Sequence, residues 1–199
     1  PLPIYGAFSN DNHFYSLPVQ PIQVSGTSLA GVHGFAPSVV RPEEEFEISV
    51  RSEDRFYNRA KGPIPSYRVY ANDKLIATIP ESKHPIATIK EVSFKKPGVY
   101  RIRIESGDKS VVGVANPILV SDDAERIYWG DTHGHSGFAE GIGTPDRFMQ
   151  WAKEDARLDF VTHSEHDIWM DDAEWQILMD SVERYSEPGQ FTGFLGYEW

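Results

Sequence analysis

From Glu45 the chain settles into strict alternation. Phe46, Ile48 and Val50 share one face, and Glu47, Ser49 and Arg51 the other, the period-two signature of a strand with one buried side. Tyr67-Arg68-Val69-Tyr70 and Leu75–Ile79 flank Asn72-Asp73, which predicts a hairpin turn. Pro97-Gly98 turns into Tyr100, Ile102 and Ile104, alternating with Arg101, Arg103 and Glu105. Ser106-Gly107-Asp108 predicts a further turn, and Val111–Val114 and Ile118–Val120 continue the series. Short alternating strands between turn residues predict an antiparallel β-sandwich of immunoglobulin type. The first forty residues are rich in Pro, Gly and Ser without a sustained period. They predict an irregular leading segment with one or two short strands, such as Pro18–Val24.

The period changes after a polar stretch, 121–126, read as a linker. Ile127–His133 predicts a buried strand. Thr144-Pro145 predicts a helix start, since threonine caps and proline suits the first helical position. Phe148, Trp151, Ala152 and Ala156 follow at helical spacing. Leu158–Thr162 is a second apolar run. Asp171-Asp172 open a second helix, with Trp175, Leu178, Met179, Val182 and Tyr185 on one stripe, and Pro188-Gly189 stop it. Phe191–Tyr197 predicts a third strand. A βαβαβ order implies parallel strands with right-handed crossovers. The expected organisation is therefore a β domain over 1–120, a linker over 121–126 and an α/β domain over 127–199. The last of these has 73 residues, room for about three strands, whereas a closed α/β barrel takes roughly 250 residues. Its final strand carries no covering helix, so a continuation of the same protein, or a second chain, is expected to complete the sheet.

Charge sharpens the division. The 199-residue chain has 19 basic and 30 acidic residues, a net charge of −11. Residues 1–120 hold 14 Lys/Arg against 12 Asp/Glu, and residues 121–199 hold 5 against 18. All five tryptophans lie in the acidic part. This balance argues against nucleic acid as a partner and favours cations at the second domain. The absence of cysteine excludes disulfides, thiolate metal sites and a cysteine nucleophile. No apolar run is long enough for a membrane span. The chain begins at Pro1 with no leader-like stretch after it, and cytoplasmic and periplasmic or secreted locations both stay open.

Four of the seven histidines, His133, His135, His163 and His166, fall within 34 residues. They sit at the carboxyl ends of the first two α/β strands, where such folds place active sites. On an extended strand Asp131, His133 and His135 project to one face, and two imidazoles about 7 Å apart at their roots can lean onto one ion. Asp131 is either a ligand or a group orienting an imidazole. Taken alone, His-x-His is as often a solvated pair, and Glu140, in the glycine-rich turn 137–143, is ordinarily a loop carboxylate. His163-Ser164-Glu165-His166-Asp167 follows the second strand, and Glu198 closes the third between two aromatic residues. His163, Glu165 and Asp167 are candidates for proton transfer or for orienting ligands, with polar strand-end residues as the plain alternative. The aromatic stripe Trp175–Tyr185 reads as core packing. The basic-aromatic stretch Arg51–Lys61 reads as a solvated loop.

Five segments in order resemble the PHP (polymerase and histidinol phosphatase) superfamily of metal-dependent hydrolases. They are Gly130-Asp131-Thr132-His133-Gly134-His135-Ser136, Ala139-Glu140-Gly141, Gly143-Thr144-Pro145, Leu158–Asp167 and Gly196–Trp199. The closest flavour is a PHP-like family known mainly as a domain of unknown function with an N-terminal β domain. The resemblance implies metal ligands at His133, His135, Glu140, His166 and Glu198. Glu140 and Glu165 stand where the family has aspartates, so their reach differs. Further family ligands would lie beyond Trp199. The resemblance also implies the fold: two domains, β plus α/β, with the β-sandwich followed by the first part of a PHP-like distorted α/β barrel.

Histidine and carboxylate ligands without thiolate suit two or three divalent ions, Zn, Mn or Fe. Such a cluster activates water as a metal-bound hydroxide and stabilises an attacked ester. The expectation is a metal-dependent hydrolase, phosphoesterase-like, acting on a small anionic ester. The partners it implies are the remaining barrel segment or a second chain, and an oligomer is compatible with it. The alternatives are a hydrolase of sulfate esters or amides, and a catalytically inactive metal-binding or interaction module.

Overall fold

The computed structural model describes residues 5–7, 14–16 and 25–199; the expected strand Pro18–Val24 lies outside them. Two compact units divide at Ile127 and Tyr128. Tyr5–Ala7 and Phe14–Ser16 pair antiparallel. Among the described residues no helix is long and apolar enough to cross a membrane.

The unit Ser25–Ile127 is built of β-strands around one core. Phe46–Glu53 lies between Gly31–Phe35 and Ile86–Val92, antiparallel to both. Its buried side is Phe46, Ile48 and Val50, with Glu47 outward. Ser49 is buried as well, because this strand is central and a register shift occurs between Phe46 and Ile48. A second sheet runs Val112–Val114, Ile102–Ser106, Tyr67–Ala71, Lys74–Ile79. Its hairpin turns on Asn72 and Asp73, both at positive φ (45° and 66°), the backbone that a tight two-residue hairpin loop requires. A third sheet joins Val39–Val40, Ile118–Val120 and Gly98–Tyr100. Ile48, Val69, Ile104 and Ile118 are fully buried in the shared core.

Here the expected immunoglobulin-type sandwich needs correction. Three sheets, not two, enclose the core, and Val39–Val40 runs parallel to Ile118–Val120. The run from Tyr100 to Glu105 is not one strand: Gly98–Tyr100 and Ile102–Ser106 belong to different sheets. The break falls at Arg101, whose N–H donates to Asn72 Oδ1 at 2.9 Å while its carbonyl accepts from the Asn72 N–H at 3.0 Å. The hairpin turn thus takes both peptide groups that would have continued the ladder.

The unit of Tyr128–Trp199 holds three parallel strands, Gly130–Asp131, Phe160–His166 and Thr192–Glu198, in that order. Thr144 caps the helix Pro145–Gln150, accepting from the Arg147 N–H, with proline at the first position. The helix Asp172–Tyr185 starts with a reciprocal capping box between Asp171 and Glu174. Met149, Ala152, Val161 and Phe191 form the core of this unit, with Phe148, Leu158, Val182 and Tyr185 against them. The expected buried strand Ile127–His133 shrinks to Gly130–Asp131, and Ile127, Tyr128 and Trp129 are more than half exposed.

The expected β plus α/β organisation with the opening of a PHP-like barrel is therefore not what is observed. The described residues are mostly β, with 40% strand, 16% helix and two α-helices. Their parallel part is an open three-stranded sheet, and no barrel is present among the described residues. Seventy-odd residues supply too few strands to close one.

Candidate metal centre

The carboxyl ends of the three parallel strands converge. Past Asp131 the chain leaves the ladder but stays stitched to the central strand. The Ser164 N–H donates to the Gly134 carbonyl at 2.9 Å, and the Gly134 N–H donates to Ser164 Oγ at 3.2 Å. Gly134 is required here: a Cβ would sit 2.5 Å from the Phe148 ring. This loop turns His133 and His135 toward each other, with their Nε2 atoms 2.8 Å apart. Glu198 Oε2 lies 3.1 Å from His133 Nε2 and 3.2 Å from His135 Nε2.

His166 and Glu140 extend the cluster. The His166 ring stands edge-on to His135 at 4.7 Å between centroids. Its Nδ1 is 3.6 Å from Glu198 Oε2 and its Nε2 3.4 Å from Glu140 Oε1. Glu140 is delivered by a turn in which the Gly141 N–H donates to the Ser136 carbonyl at 2.9 Å and the Gly137 N–H to the Gly143 carbonyl at 2.7 Å. A side chain at Gly141 would collide with the His135 carbonyl.

Two overlapping ligand groups result: His133, His135 and Glu198, and His135, Glu140 and His166. Each could hold a metal ion, with donor atoms within 4.8 Å of one another. The fit is chemical as well as geometric. Donors on a tetrahedral ion with bonds near 2 Å stand about 3.3 Å apart, close to the separations from Glu198. Neutral imidazole nitrogens and a carboxylate oxygen are lone-pair donors, and their convergence on one point suits a cation. His135 Nδ1 is buried with no hydrogen-bond partner among the described residues, while Nε2 of the same ring faces Glu198 and His133.

The other candidates lie elsewhere. Asp131 is exposed and its carboxylate accepts from the His133 N–H at 3.2 Å; it belongs to neither ligand group. Asp167 opens a short 3-10 turn and is likewise in neither group. His163 and Glu165 share the alternation of Val161 and point into the interior, fully buried. The His163 ring packs 4.7 Å from Phe148. His163 Nε2 lies 2.7 Å from Glu165 Oε1, which also accepts from the Ser136 N–H at 2.7 Å. Burial pushes the Glu165 carboxyl up, but hydrogen bonds from His163 and from the Ser136 side chain and backbone outweigh it, and the group is held below its ordinary value. An ionised carboxylate only accepts, so His163 Nε2 carries the proton of that bond.

Sequence reasoning passed over Ser136 and Ser164, which tie the His-x-His loop to the central strand. The available signal was a small polar residue beside each ligand motif. Glu174, in the first turn of the second helix, is buried, and its carboxyl is raised by burial and by the charges of Asp171 and Glu165, against the Asp171 backbone hydrogen bond.

Comparison with known proteins adds context. The family model described as "Protein of unknown function (DUF3604)" matches residues 144–199, a span that includes His166 and Glu198. An uncharacterized protein of Chlamydia pneumoniae is 24% identical over 188 residues, covering 89% of this chain and 30% of its own length. One of Chlamydia trachomatis is 23% identical over 209 residues, covering 100% of this chain and 33% of its own length. The chain thus spans about a third of the length of these curated relatives. Among solved structures, the CARDB domain of a Pyrococcus furiosus protein aligns with 22% identity and a TM-score of 0.37, over 45% of this chain and 92% of that one. A crystal structure of that domain in complex with di-metal ions aligns with a TM-score of 0.33 and 20% identity, over 45% of this chain and 90% of that one.

Proposed function

We propose that this chain contributes to a metal-dependent hydrolase acting on phosphate or related esters, with two divalent ions, Zn, Mn or Fe, at the His/Glu cluster. The observation that supports this reading is the convergence of five His/Glu side chains in two overlapping ligand groups. The five motif segments that resemble PHP enzymes support it too, since they contain all five converging residues. His133, His135 and Glu198 would hold one ion, and Glu140 and His166 would contribute to a second; a neutral imidazole has one acceptor nitrogen, so His135 would serve one ion only. A bound divalent ion lowers the pKa of water and stabilises negative charge developing on an attacked ester.

The chain's own residues supply the rest. Glu198 lies against three histidines and would hold them in position while neutralising part of the cation charge. His133 is 57% and Glu140 68% exposed at the side chain, so an ester can approach from their side. His135, at 11%, anchors the buried side.

The test is metal analysis of the purified chain by mass spectrometry, with a panel of phosphomonoester, phosphodiester, sulfate ester and amide substrates. Stoichiometric transition metal with turnover of a phosphoester is expected. Turnover of a sulfate ester or amide alone would change the bond class. Metal without turnover in the relatives' full-length form would make this a binding module. No metal at all would end the reading.

A further inference from the structure

The buried Glu165 serves no ligand group and is sealed from solvent. It nevertheless sits between ligands on two strands: it precedes His166 in the chain, and its Oε1 accepts from the N–H of Ser136, the residue after His135. One residue earlier, Ser164 exchanges hydrogen bonds with Gly134, the residue between His133 and His135. The loop carrying both histidines leaves the parallel ladder after Asp131. Beyond that point Ser164 and Glu165 bond it to the central strand. His163 in turn fixes Glu165 from the interior side at 2.7 Å.

We infer that Glu165, supported by His163 and Ser164, is a positioning residue that clamps the His133–Ser136 loop and sets the separation of its two imidazoles, and is not a proton-transfer group. The inference rests on the metal-binding reading for its purpose, but the clamp itself is a property of the metal-free chain. Partners behind metal ligands govern affinity by fixing ligand orientation, and their loss typically weakens binding by about 10–100-fold.

The chemistry separates acceptor geometry from charge. In Glu165→Gln the side-chain oxygen can still accept from the Ser136 N–H. That oxygen can accept from His163 Nε2 as well, since both bonds fall on Oε1, and the amide nitrogen introduced by the substitution takes the place of Oε2, which is buried without a hydrogen-bond partner among the described residues. In Glu165→Ala the acceptor is gone.

The experiment is Co2+ titration followed by visible absorption, with hydrogen exchange of the Ser136 amide measured in the metal-free chain by NMR. Glu165→Ala is expected to weaken Co2+ about 10–100-fold, to alter the absorption bands, and to make the Ser136 amide exchange fast. Glu165→Gln is expected to restore both affinity and protection. Wild-type affinity and amide protection in a folded Glu165→Ala chain would overturn the inference. So would a Glu165→Gln chain as impaired as Glu165→Ala, which would assign the effect to charge. If circular dichroism shows Glu165→Ala unfolded, Ser164→Ala decides: it removes the acceptor for the Gly134 N–H and is expected to weaken Co2+ in the same direction, unchanged affinity overturning the clamp. If the wild type binds no Co2+, the metal reading fails, and the amide exchange still decides the clamp.

Discussion

His166 and Glu198 are register partners on adjacent parallel strands, and His166 Nδ1 lies 3.6 Å from Glu198 Oε2. The pairing places both at the last ladder position, so strand register alone brings a ring and a carboxylate from residues 32 apart in sequence into one cluster. The same carboxylate oxygen lies against His133 and His135. Glu198→Ala should therefore weaken Zn2+ or Mn2+ by more than the roughly 10–100-fold typical of an outer partner. Calorimetric titration checks it, and an unchanged dissociation constant would remove Glu198 from the site.

The β core gives a stability prediction. Ile104 is fully buried between sheets, whereas Val112, on the neighbouring strand, is 57% exposed. Ile104→Ala should cost about 2–5 kcal/mol, and Val112→Ala should stay within about 0.5 kcal/mol. Urea unfolding followed by circular dichroism reads both. Equal losses would mean that the sheets do not enclose the core described.

Acid should loosen the β unit in a defined way. The Thr27 amide, then those of Phe56 and Asn58 with the Asn58 side chain, hold the Asp54 carboxyl down to about 2, against the opposing effect of burial. Its unfolded value is about 3.9. A lowered folded value means that the unfolded chain binds the proton first, so this contribution is whole above about pH 4 and drains away as pH falls toward 2. Asp54→Asn should flatten that part of the stability–pH curve. Identical acid profiles for the two proteins would refute the assignment.

The helix after the central strand tests the capping box. Asp171 accepts from the Glu174 N–H at 2.8 Å, and Glu174 accepts from the Asp171 N–H at 3.0 Å. Asp171→Ala should cost about 1 kcal/mol, measured as a drop in urea midpoint, and Asp171→Ser should recover most of it.

What could be read from the chain divides along physical lines. Helix starts at Thr144 and Asp171 and the turn at Asn72-Asp73 are local, set by side-chain capping and backbone preference within a few residues, and they appear where the pattern places them. The grouping of His133, His135, Glu140, His166 and Glu198 came from the family resemblance; strand-end placement alone pointed to the histidines and left Glu140 an ordinary loop carboxylate. The break at Arg101 was not legible, since it depends on a side chain 29 positions away. Nor was the inward turn of His163 and Glu165, because alternation within Phe160–His166 sends neighbouring residues to opposite faces and the motif alone does not say which. The opening part of a barrel expected from the resemblance is not shown for a different reason: motif order carries chemistry, while the described residues form an open three-stranded parallel sheet.

The stretch 121–126 carries a practical lesson. The Arg41 guanidinium donates to the carbonyls of Ser121, Asp122 and Ala124, and Arg126 pairs with Glu44. These residues are a belt buckled onto the β unit, not slack rope. A β fragment cut after Val120 would strand a cation that had three oxygen acceptors, whereas one extended through Ile127 keeps the buckle fastened.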